Sequence, residues 1–207
     1  MASHRVFLTT TAIFLAFVAL LLVYDDFYFT SEKMTATLPI PLEVTLSSEI
    51  SSESILGSAK LRITLKNTSP HEIFLLRWSS PLDSSVPAIG VVSFMSTKTG
   101  AKAPCLDMKI NHRLPPEGYF SVDDQSIVHI PANGKVENVV EFNEPKVALV
   151  KGEEYRAKAA GFWMGVWVNE SGKGVKKLVM GEEMRTGEFE SNEILVRVSS
   201  EDQAELR

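Results

Sequence analysis

The residues of this 207-residue chain that could do chemistry are four histidines, one cysteine and a few adjacent acidic pairs. His4, His71, His112 and His129 never recur at the spacing that brings two imidazoles to one zinc on a helix. His71-Glu72 comes nearest, but Ile73, Phe74 and Leu75 follow it in a strand-like run. A Gly-x-Ser-x-Gly elbow, a Walker loop and Gly-x-Gly-x-x-Gly are all missing from the sequence, and Ser171-Gly172-Lys173-Gly174 reads as a flexible turn. Asp123-Asp124, Glu153-Glu154 and Glu182-Glu183 sit among turn residues, where adjacent carboxylates are solvated charges more often than an acid/base pair. The expectation is a non-catalytic protein with no metal and no cofactor.

Other residues invite modification or binding. Asn67-Thr68-Ser69 and Asn169-Glu170-Ser171 are N-glycosylation acceptor patterns, both placed at strand ends where an acceptor can be reached. Pro70 works against use of Asn67. Cys105 is alone, so no disulfide can form within the chain. It is left with burial, a bond to another chain, or ligation of a partner's zinc. Pro104 favours an extended residue before it, and Leu106, Met108 and Ile110 alternate after it as a strand would. Trp163 and Trp167 stand four apart, hence on one face of a regular strand with Gly161 and Gly165. Phe162, Met164, Val166 and Val168 then take the other face. The two tryptophans mark either the core or a protein-binding strip.

The elements that hold these residues are strands. Leu42, Val44 and Leu46 alternate with polar neighbours, as do Leu61, Ile63 and Leu65. Ile73–Trp78 is a continuous apolar run, suited to the middle of a sheet. Ile89–Met95, Ser126–Ile130, the run after Asn133-Gly134, Tyr155–Val168 and Ile194–Val198 complete the set. No sustained helical stripe appears between 42 and 198, so the predicted fold is an all-β, immunoglobulin-like antiparallel sandwich. Tyr155, just after a glycine turn, is placed to bond back to that turn as a corner tyrosine does.

Ahead of the sandwich, Val6–Tyr24 carries no charge, with Arg5 before it and Asp25-Asp26 after. That asymmetry places the N-terminus in the cytosol and the rest beyond the membrane. Residues 1–24 are read as a signal anchor or a cleaved signal peptide, 25–40 as a juxtamembrane stalk, 41–199 as the sandwich and 200–207 as a tail. The domain is expected to be extracytoplasmic, either anchored or secreted. Net charge is −5 with the cations scattered, and Lys173, Lys176 and Lys177 form the one basic knot, so nucleic acid is not an expected partner.

Taken in order, "PLEVTLS", "LRITLKNTSPHEIFLLRWSSPLD", "IPANGKVENVVEFNEPKVALVKGEEYRAKAAG" and "FESNEILVRV" give the span Leu42–Val198 a familiar outline. It resembles the N-terminal propeptide of fungal deuterolysin-type metalloendopeptidases. The resemblance implies a β-rich prodomain that inhibits a deuterolysin-like metalloprotease or helps it fold. In that family a catalytic domain with a zinc-binding helix follows, whereas here only a short tail follows Val198, and no catalytic residue carries over. A cell-surface structural or adhesion module and a truncated protease precursor stay open beside it.

Overall fold

In the computed structural model, residues 39–49, 57–181 and 183–198 are described. The apolar stretch Val6–Tyr24, most of the expected stalk and the tail lie outside them. Among the described residues no helix is long and apolar enough to cross a membrane. All belong to one compact unit beginning at Leu38.

The strands are β1 (Leu42–Ser48), β2 (Ala59–Asn67), β3 (Ile73–Leu76), β4 (Val92–Ser96), β5 (Tyr119–Ser121), β6 (Ile127–Ile130), β7 (Lys135–Phe142), β8 (Glu154–Val168), β9 (Lys177–Val179) and β10 (Arg185–Arg197). They follow one hydrogen-bonded path, β6-β3-β8-β10-β1-β2-β7, with β4 also on β8, while β5 and β9 form a separate two-stranded sheet. Every pairing between strands is antiparallel except β1 with β10, which is parallel and meets only at Val44 and Ser191. That junction has its own chemistry. The Asn192 side chain accepts from the Leu46 N–H (2.8 Å) and donates to the Leu46 carbonyl (3.1 Å), so an amide side chain stands in for a peptide unit. It can do so because β10 slips its register against β8 between Glu190 and Glu193.

The alternating residues of β1 and β2 supply one wall of the main core: Val44, Leu46, Leu61, Ile63 and Leu65. Ile73, Leu75, Phe94, Ala157, Ala159, Trp163 and Val196 supply the other. Phe94 meets Phe142 edge-on at 5.0 Å, an arrangement that the ring quadrupoles favour. Tyr155 is buried, and its hydroxyl accepts from the Val150 N–H at 3.1 Å, the backward bond expected of a corner tyrosine. Phe74, Leu76, Phe120, Ile127, Trp167 and Leu178 form a second, smaller cluster. It exists because the β5-β9 ribbon places Phe120 and Leu178 against residues of β3, β6 and β8.

The structure departs from the periodicity reading in particular places. Ile89 ends a one-turn helix, Val86–Ile89, and Gly90 takes a left-handed φ of 74°, so the expected strand starts only at Val92. β5 and β9 are strands whose sequences were too short to announce themselves. The alternation after Cys105 is not a strand either: residues 97–118 make only the isolated bridges Met95–Lys102 and Cys105–Val147.

Candidate binding groove on the outer face of β8

β8 explains most of the site. From Tyr155 to Trp163 its odd-numbered side chains are mostly buried and its even-numbered ones mostly face outward. Its register with β10 then slips: Gly187 pairs with Trp163, yet Arg185 pairs with Val166, one extra residue on β8. An extra residue reverses the alternation beyond it. Val166 therefore enters the main core, and Trp167 turns into the second cluster, where its ring N–H donates to the Val179 carbonyl at 2.7 Å. Trp163 stays in the main core, 4.3 Å from Phe189. The expectation that the two tryptophans share a face is corrected by this bulge, and neither is a surface residue.

The outward residues between them are the exposed ones. Phe162 and Met164 keep 46% and 45% of their surface in contact with water. Facing them is the irregular segment that follows Cys105. Its path is fixed by Leu106 N–H donating to Lys146 O (3.1 Å) and Met108 N–H to Ala88 O (2.8 Å). Gly90 permits that approach, since a Cβ there would lie 3.1 Å from Asp107 Oδ1. Between the two walls runs a groove of about 390 Å³, lined chiefly by Ile89, Met108, Ile110, Ala160, Phe162 and Met164.

Its charges are already engaged. Lys109 bonds to Asp107 at 3.0 Å and holds that carboxyl below its usual range, with Lys102 adding a weaker pull. On the same outward face, Lys158 bonds to Glu190 at 2.8 Å and lowers its pKa likewise. The groove thus offers apolar side chains and backbone amides, a lining that suits recognition of an apolar surface.

The remaining candidates lie elsewhere or point inward. Cys105 is half-buried at the edge of the main core, its sulfur 3.8 Å from where a Gly90 Cβ would be. Asn67 has no accessible surface. Its Nδ2 donates to His71 O (2.7 Å), Pro131 O (2.9 Å) and Ile130 O (3.4 Å), while Oδ1 accepts from the N–H and hydroxyl of Ser69 at 2.9 Å each. Asn169 is 8% exposed, and its Nδ2 donates to Glu72 Oε1 and Lys173 O. Both acceptor nitrogens are spent inside the fold, which corrects the expectation that these strand ends leave them within reach. Glu72 also bonds to His129 at 2.8 Å, a clamp between β6 and the turn before β3 in which His71, its neighbour in the sequence, takes no part. Met108 and Ile110 escaped sequence reasoning as site residues, although their exposure follows from an alternation that never found a partner strand.

A β-rich unit of two packed walls with Tyr155 bonded back to the preceding turn defines an immunoglobulin-like domain. Residues 42–198 match the model of an immunoglobulin-like domain family, and the chain belongs to that family. The match carries no link to deuterolysin propeptides. No curated protein matches the chain.

Proposed function

We propose that this chain is a non-catalytic protein-binding module whose contact surface is the groove over β8. The observation that carries the reading is the paired exposure of Phe162 and Met164 opposite Met108 and Ile110. On the outer face of a half-solvated sheet, polar residues are the rule, and contiguous apolar surface rimmed by charge is characteristic of interaction sites. The uncharged stretch Val6–Tyr24 supports an extracytoplasmic location, anchored or secreted. The finer reading, a stand-alone prodomain acting on a deuterolysin-like metalloprotease, draws its support from the order of sequence motifs between Leu42 and Val198.

The test pairs binding with stability. Phe162→Ser with Met164→Ser should leave the thermal midpoint nearly unchanged, because both side chains are already half in water, and should abolish capture of the partner. A purified deuterolysin-type enzyme is the first partner to try. Inhibition or refolding assistance that the double variant loses supports the finer reading, and no effect of the wild-type chain removes it.

A further inference from the structure

The floor of the groove contains a gap in the sheet. β4 accompanies β8 only as far as Ala159, with one further bond from the Ala160 N–H to Val91 O at 2.9 Å. β3 takes up the same edge at Val166. Ala159 N–H points the opposite way, to Ser191 Oγ on β10. Alternation along the strand therefore directs the N–H and carbonyl of Phe162 into the gap. Neither β4 nor β3 pairs with β8 at Phe162, and no turn or loop backbone bond reaches it among the described residues. A strand-type donor and acceptor thus stand at the bottom of an apolar groove, framed by Phe162, Met164, Met108 and Ile110.

We infer that the groove takes an extended, uncharged segment of the partner protein, which forms a β-bridge with Phe162 while its alternate side chains settle against the apolar walls. This rests on the groove being the binding surface and specifies what fills it. An unpaired strand edge selects an extended backbone, since a helix has no free amides to offer along its length. Charge selects against acidic and basic segments: Asp107 is matched by Lys109 and Glu190 by Lys158, so a charged side chain entering would be desolvated without an unpaired counter-ion.

The experiment pans a displayed library of short linear peptides against the full chain, then measures the enriched peptides by calorimetry. Enriched sequences should carry apolar residues at alternate positions and no charge between them. Phe162→Ser with Met164→Ser should weaken them about tenfold or more, and N-methylation of the bridging peptide amide should do the same, while N-methylation of the amides on either side changes little. Loss on the double variant with no sensitivity to N-methylation would overturn the β-bridge and leave the groove as a side-chain site. Binding that survives the double variant would overturn both readings. A library that yields only charged or helical binders, or none, overturns the bridge.

Discussion

At Asn67 one side chain does work that the sequence cannot distinguish from a glycan acceptor. Asn-x-Ser places a hydroxyl two residues after an amide, which is also the spacing at which Ser bonds back to Asn in a turn. At both Asn67 and Asn169 the serine hydroxyl donates to the asparagine Oδ1, at 2.9 Å and 2.7 Å. Local pattern was legible, but burial was not, because it depends on Pro131 and Glu72 arriving from elsewhere in the chain. Asn67→Ala would strand carbonyls of His71, Ile130 and Pro131 in a dry site. The expected loss is about 2–4 kcal/mol, read from denaturant midpoints. Asn67→Asp should be no better, since a carboxylate cannot donate. Mass spectrometry of the protein from a glycosylating host should find Asn67 unmodified, and a glycan there would mean that this turn opens.

Strand existence was readable from alternation, and strand irregularity was not. β1, β2 and β8 carry period-two patterns that survive folding, whereas the slip between Trp163 and Val166 has no sequence mark beyond Gly165. One residue decided whether Trp163 and Trp167 shared a face, which is why the contact strip was assigned to them and not to Phe162 and Met164. The glycines of β8 are the nearest thing to a signal. A Cβ on Gly161 would sit 2.8 Å from Phe189 Cζ, and that ring is held against Trp163. Gly161→Ala should therefore cost about 1–3 kcal/mol by overpacking, with the midpoint falling and the fold retained. A neutral result would show that Phe189 moves freely. The β10 irregularity has a sharper test. Asn192→Asp keeps an acceptor for Leu46 N–H but sets a carboxylate against Leu46 O, and should destabilise more than Asn192→Ala.

The fold as a whole is held by apolar burial, with ion pairs laid over its outer faces, and this division sets how it should respond to acid. Arg62 of β2 bridges Glu49 at 3.0 Å and Glu137 of β7 at 2.6 Å, and Lys135 adds a contact to Glu137 at 2.7 Å. Lys135 first, then Arg62, holds the Glu137 carboxyl below its ordinary value, as Lys158 does for Glu190 and Lys109 for Asp107. A lowered carboxyl pKa stabilises the native state above the unfolded value, and that contribution disappears as pH falls through the folded one. The raised Arg62 pKa keeps that group charged throughout the acidic range and adds no slope there. Thermal stability should accordingly be flat near neutrality and decline only below about pH 4.5. All of these groups are solvent-exposed, so the decline should be shallow and should shrink in high salt, which screens surface pairs. Lys135→Ala should flatten it further by removing the larger of the two pulls on Glu137. A steep loss of stability between pH 7 and 6 would overturn this account, because carboxyls held below their ordinary range take up no protons there.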